Sequence, residues 1–115
     1  MFWKWNKGRQ NTGYQKMKLF ESIFLKMDMY IIKYNEGDYI LKHKDTVDKN
    51  FNHHRLNLIL KQSLEGGVFK INNEQILKRI IYFRPDIQEH EVSKIEKGKR
   101  YVLSIGWLTL KNNKK

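Results

Sequence analysis

The chain is 115 residues long, within the range where one hydrophobic core sustains one domain, and its 40% hydrophobic and 13% aromatic content excludes a disordered chain despite 30% charged residues. It has no cysteine, so disulfides, thiolate metal sites and thiol nucleophiles are excluded together, and any metal must be held by His, Asp or Glu. The formal net charge of +11 invites a nucleic-acid partner through counterion release from phosphates, yet Lys and Arg are spread along the whole chain, and a compositional surplus of Lys, Asn and Ile accounts for the charge equally well.

The opening MFWKWNKGRQ has no apolar stretch of signal-peptide length, and nowhere do about 18 apolar residues follow one another as a spanning helix requires. A soluble, cytoplasmic chain without membrane contact is expected. Lys4, Lys7, Arg9, Lys16 and Lys18 at one end, with Lys111, Lys114 and Lys115 at the other, form the candidate basic patch. Between Tyr14 and Met27, the apolar residues Met17, Phe20, Ile23, Phe24 and Met27 recur at helical spacing, which predicts a short N-terminal α-helix with its apolar stripe in the core. After Asp28 the texture changes to β-rich runs: MYIIKY (29–34), DYILKH (38–43), RLNLILKQ (55–62), GVFKI (67–71), ILKRIIYF (76–83) and RYVLSIGWL (100–108). Turn signals NEGD, EGG, NNE and EKGK bound them. Eight strands of ordinary length with short connections need roughly 80 to 90 residues, which is the length remaining after the helix, so a compact jelly roll or barrel fits. There is no repeat, linker or composition shift; one domain spanning 1–115 is expected, with the helix at about 14–27 and the β core at about 29–110.

Chemistry concentrates on three residues. In Tyr39, Leu41, His43, Asp45, side chains two apart share one face of a strand, so His43 and Asp45 converge on one point. His90 precedes another β-like stretch, where a sheet closed on itself can deliver it to the same point. Two imidazoles and one carboxylate on one face of an octahedral ion leave the opposite positions open, the arrangement of non-haem Fe(II) oxygenases.

The succession YNEGDYILKHKD, then RLNLILKQ, then EGG, then HEVSKIEKGKRYVLSIGW resembles the prolyl 4-hydroxylase-like branch of the Fe(II)/2-oxoglutarate oxygenases over about residues 30 to 108. The resemblance implies a mainly β, double-stranded β-helix (jelly roll). It implies Fe(II) held by His43, Asp45 and His90, and a 2-oxoglutarate whose far carboxylate pairs with Arg100. A guanidinium offers that carboxylate two parallel N–H donors where Lys would offer a point charge. It further implies that the Ser104 hydroxyl adds a hydrogen bond to the same carboxylate and that Tyr34 borders the cosubstrate pocket. A satisfied strand serine and a core aromatic account for these two residues about equally well. Gln62 is a further candidate facing that pocket. Gly66 and Gly67 match the family's Gly-Gly turn, which asks for positive φ. Trp107 matches the aromatic that ends the last motif, with Gly106 as an extra residue that a β-bulge would absorb. His53 and His54 fall in a loop after the first two ligands and read as solvated rather than substrate-facing, and Glu91 reads as an exposed strand carboxylate rather than a support for His90.

The implied activity is a dioxygenase that hydroxylates a substrate with O2 and 2-oxoglutarate, releasing succinate and CO2, with ascorbate as a supporting reductant. A peptidyl prolyl or similar side chain is the expected substrate, so a protein or peptide is the expected partner. A nucleic-acid-modifying enzyme of the same superfamily and a non-catalytic basic binding module on a jelly roll are the alternatives. The chain is expected to be a monomer, or a homodimer in which the partner replaces the helical brace that relatives carry.

Overall fold

The computed structural model describes residues 4–111, and every regular element among them is a strand. These are β1 (Trp5–Lys7), β2 (Gln15–Ser22), β3 (Met27–Tyr34), β4 (Ile40–His43), β5 (Phe51–Lys61), β6 (Glu65–Gly66), β7 (Phe69–Ile71), β8 (Glu74–Gln75), β9 (Ile80–Phe83), β10 (His90–Val92), β11 (Ile95–Lys97) and β12 (Arg100–Leu110). They form a six-stranded sheet in the order β1-β2-β3-β12-β5-β9, a four-stranded sheet in the order β4-β10-β7-β8, and the pair β11-β6. Every pairing is antiparallel. No helix among the described residues is long and apolar enough to cross a membrane.

The alternation of β12 fixes its inward face. Arg100, Val102, Ser104 and Gly106 are buried, while Tyr101, Leu103, Ile105 and Trp107 between them are half-buried on the opposite face. β5 alternates in step, burying Arg55, Asn57 and Ile59. The large sheet thus lays Ile32, Tyr34, Ile59, Ile81, Phe83 and Val102 against Phe69, Val92 and Ile95 of the smaller sheets, and Tyr14 closes one side. Gly66 and Gly67 take φ of 76° and 67°, as their turn demands, and a Cβ at Gly67 would stand 2.5 Å from Ile95 Cδ1.

Residues 14–27 are not a helix. They form β2, a turn at 23–26 and the start of β3. Met17 pairs with Trp5 on one side and Ile31 on the other, so the strand meets its backbone hydrogen bonds through neighbours that helical spacing cannot reveal. The turn is locally encoded: the Leu25 N–H donates to Ser22 Oγ at 3.0 Å, and Lys26 adopts φ 56°, which would end any helix. Ile23 and Phe24, expected in the core, are 86% and 90% exposed at its tip.

Three smaller expectations also change. The run at 76–83 is a strand only over Ile80–Phe83: Arg79 closes the ladder with β5, its carbonyl accepting from the Ile59 N–H and its guanidinium donating to the Ile59 carbonyl, while the Ile76 N–H turns to the Phe69 carbonyl. His53 and His54 belong to β5, where they pair with Leu108 and Trp107, rather than to a loop. The bulge expected at Gly106 lies instead between Tyr101 and Val102, and pairing runs unbroken through Gly106. Of the basic ends, Lys7, Arg9, Lys16 and Lys18 border one cleft, whereas Lys114 and Lys115 lie outside the described residues.

Candidate metal centre

β4 and β10 are neighbours in the small sheet, and His43 and His90 are register partners across them. Their ring centroids lie 4.3 Å apart. Beyond His43 the chain stays extended, and the Asp45 N–H donates to the Pro85 carbonyl at 2.7 Å, which returns the Asp45 side chain to the same point. Asp45 Oδ1 stands 3.2 Å from His43 Nε2, and Oδ2 stands 3.4 Å from His90 Nε2. One ligand atom from each of the three residues lies within 4.8 Å of the others. A cation ~2.1 Å from each donor places neighbouring octahedral donors roughly 3 Å apart, which the two Asp45–His edges match.

The far side of each ring is fixed. His43 Nδ1 lies 2.7 Å from the Leu41 carbonyl and His90 Nδ1 lies 3.0 Å from the Gln88 carbonyl. A carbonyl can only accept, so Nδ1 carries the proton in both rings and Nε2 turns its lone pair inward. A ring that also takes up a proton at Nε2 donates it to Asp45: burial works against the Asp45 charge, but these hydrogen bonds from protonated His43 and His90 outweigh it and hold the carboxyl well below the usual carboxylate range, and a metal ion would take the place of those protons. The bond to Asp45 conversely raises the His43 pKa, which burial only partly offsets. Two neutral nitrogens and one ionised carboxylate, with a cavity of about 260 Å³ beyond them, suit a first-row divalent ion with positions left open.

Arg100 lines the same cavity from the large sheet. It is 2% exposed, its guanidinium carbon lies 4.9 Å from the Tyr34 ring centre, and Nε donates to Gln62 Oε1 at 3.4 Å. No carboxylate among the described residues lies within ion-pair distance of it. Tyr34 is its register partner on β3, and burial pushes the Tyr34 hydroxyl up to about 12, with the Arg100 charge opposing. Tyr34 also lines the cavity, and Gln62 lies in the hollow on the other side of Arg100. Ser104 is fully buried, donates to Asn57 Oδ1 at 2.6 Å and accepts from Arg55 Nη1 at 2.7 Å. Both arms of its hydroxyl are therefore engaged away from Arg100. Glu91 is partly buried and lies 4.0 Å from Lys42. His54 is stacked on Trp107 at 5.5 Å, on the outer face of the sheet.

Two groups of residues escaped the sequence reading. The first is the cluster around Arg55, which is 5% exposed and donates from Nη2 to Asp28 at 2.5 Å. Its guanidinium carbon lies 4.7 Å from the Tyr30 ring centre, and both Arg55 and Asn57 face the cavity. The signal was present in RLNLILKQ: a strand whose other residues are mostly apolar but whose first and third are Arg and Asn places two polar groups on one buried face. Gly106 completes the cluster, since a Cβ there would stand 1.9 Å from Arg55 Nη2. The second is the strap between β1 and β2. The Gln10 amide clasps the Leu41 backbone through two hydrogen bonds at 2.5 and 2.9 Å and lies 3.0 Å from His43 Nδ1, while Arg9 reaches Asp45 at 3.4 Å. Nothing in the local sequence marks this strap.

Comparison with solved structures places the fold. A prolyl-4-hydroxylase from Pseudomonas putida superposes with a TM-score of 0.70 at 15% identity, covering 95% of this chain and 79% of that one. KdgF from a Halomonas species superposes at 0.65 and 12% identity, covering 96% and 88%. The viral collagen prolyl hydroxylase of Paramecium bursaria Chlorella virus-1, solved with 2-oxoglutarate, superposes at 0.64 and 16% identity, covering 84% and 78%. The neighbours also include proteins described as cupins, so the architecture is a cupin-type jelly roll. No family model matches the chain, and no curated protein matches it in sequence.

Proposed function

We propose that the chain is an Fe(II)- and 2-oxoglutarate-dependent dioxygenase that hydroxylates a peptidyl side chain, of prolyl or similar type. The observation that carries this reading is Arg100: a buried cation with no carboxylate partner among the described residues, facing the cavity that holds the His43, Asp45, His90 cluster. Stranding one charge of a buried pair costs about 3–5 kcal/mol, so an anion entering this cavity completes a charge the fold leaves open. A short dicarboxylate meets the requirement at both ends, with its far carboxylate on the Arg100 guanidinium and its other end at the open positions of the metal centre.

The chain's own residues divide the work. His43 and His90, when neutral, hold their Nε2 lone pairs inward because backbone carbonyls fix the opposite nitrogens, and Asp45, held well below the usual carboxylate range, supplies an ionised oxygen. Bound there, Fe(II) would supply the oxidising power, with 2-oxoglutarate and O2 consumed and succinate and CO2 released. Phe69, Phe83, Ile32 and Val92 supply apolar wall to part of the cavity. Tyr34 lies beside the Arg100 guanidinium and stays protonated, so it adds no competing charge. Likeness in fold to two prolyl hydroxylases supports the choice of a peptide substrate.

The test is succinate formation in the presence of Fe(II), ascorbate, O2 and 2-oxoglutarate. The wild-type chain is expected to form succinate slowly without a prime substrate and faster with a proline-containing peptide, and Asp45→Ala is expected to form none. No succinate from metal-loaded wild-type protein overturns the reading. Stimulation by single-stranded oligonucleotides instead of peptides, with a mass gain of one oxygen, transfers it to a nucleic-acid substrate.

A further inference from the structure

The large sheet has a second face, pointing away from the cavity. One cross-strand row on it runs through all six strands as Trp5, Met17, Ile31, Leu103, Leu58 and Ile80. The next row is Phe20, Met29, Ile105, Leu56 and Tyr82. No element among the described residues packs on these rows, and Ile80 and Tyr82 remain 64% and 54% exposed. An antiparallel sheet with one solvated face keeps polar residues on that face, so a face apolar across two adjacent rows is built to be covered.

We infer that this face is the interface of a two-fold symmetric homodimer, with the two large sheets stacked face to face and their strands running in opposite directions. The six strands hold 3, 8, 8, 11, 11 and 4 residues in sheet order, and at ~4.8 Å between strands and ~3.3 Å per residue they span a plane of roughly 700 Å² before side-chain relief is added. That approaches the ~800 Å² per partner of a standard stable interface.

Charge selects both the occupant and its direction. One end of the face carries the row Lys7, Gln15, Lys33, Tyr101 and Lys61. The other end carries the stacked rings of His54, Tyr82 and Trp107, with centroids 5.5 to 6.2 Å apart. A two-fold axis lying in the interface across the strands sets each lysine end over the partner's ring end, where cations meet aromatic faces and like charges stay apart. The same chain already makes this kind of contact, since Lys33 Nζ lies 4.4 Å from the Trp5 ring centre. A face with cations at one end and rings at the other is thus its own complement. An axis along the strands would instead oppose lysines to lysines.

Sedimentation velocity over a hundredfold range of protein concentration tests the inference. The wild-type chain is expected at twice the chain mass, undiminished in 0.5 M salt because the interface centre is apolar. Ile105→Lys at that centre is expected to give a monomer that still binds Mn(II) with wild-type stoichiometry. Should that variant fail to fold, Tyr82→Lys, at a side chain already half in solvent, reads the same effect. Lys33→Glu is expected to weaken the dimer at least tenfold; a stronger dimer overturns the antiparallel arrangement. A monomeric wild-type chain at all concentrations overturns the interface, as does a dimer that Ile105→Lys and Tyr82→Lys both leave intact.

Discussion

His43 and His90 face each other across one antiparallel pair of strands, with each ring pinned at Nδ1 by a carbonyl of its own segment. That pairing aims both Nε2 atoms at Asp45 before any ion arrives, so the ion meets a nearly formed face rather than having to assemble it. His43→Ala, Asp45→Ala and His90→Ala are each expected to weaken Mn(II) binding at least ~100-fold in calorimetry while circular dichroism stays that of a β protein. Full metal affinity in all three variants would place the centre elsewhere.

Metal affinity should fall with acid. The ion needs a neutral His43, whose pKa is raised above the ordinary imidazole value by the Asp45 carboxylate, so protons compete below that raised value and not above it. Asp45, held well below the usual range, stays ionised and contributes nothing to the trend. Each pH unit below the His43 pKa is expected to weaken Mn(II) by ~tenfold for that proton, measured by calorimetry in two buffers of different ionisation enthalpy. Proton release that does not change between pH 5.5 and 8 would contradict it.

Arg100→Met separates the anchor from the fold. Removing a buried cation that has no carboxylate partner is expected to leave the ligand-free melting temperature unchanged or raised, because the replacement ends a desolvation cost. The same variant should lose ~1.5–3 kcal/mol of 2-oxoglutarate affinity, about 10- to 150-fold, with Mn(II) affinity intact. Differential scanning fluorimetry with and without 2-oxoglutarate reads both effects.

Gly106→Ala tests the packing beneath Arg55. The new methyl would enter the space of a buried guanidinium fixed by Ser104 and Asp28, so a loss of ~1–3 kcal/mol in urea unfolding is expected. Phe24→Ser is the contrasting case. A helical core position would cost several kcal/mol, but at 90% exposure on a hairpin tip the change should stay within ~0.5 kcal/mol.

What the sequence determined by itself was carried by short-range rules. Side chains two apart share a strand face, so His43 with Asp45, and the buried alternation of RYVLSIGW, were legible without knowing any partner strand. Turn residues likewise announced positive φ at Gly66 and Gly67. Only the tertiary structure decided what depends on distant neighbours. Met17 and Phe20 sit at helical spacing and share a strand face only because the pairing register shifts between Lys18 and Phe20, a feature set by β3, which β12 holds in place as a pairing surface. Arg55 against Gly106 and Gln10 against Leu41 are contacts across 51 and 31 residues, and no local pattern encodes them because backbone pairing brings them together. The outer face shows the same division: each strand states its own apolar alternation, but only the order β1-β2-β3-β12-β5-β9 aligns those alternations into one surface.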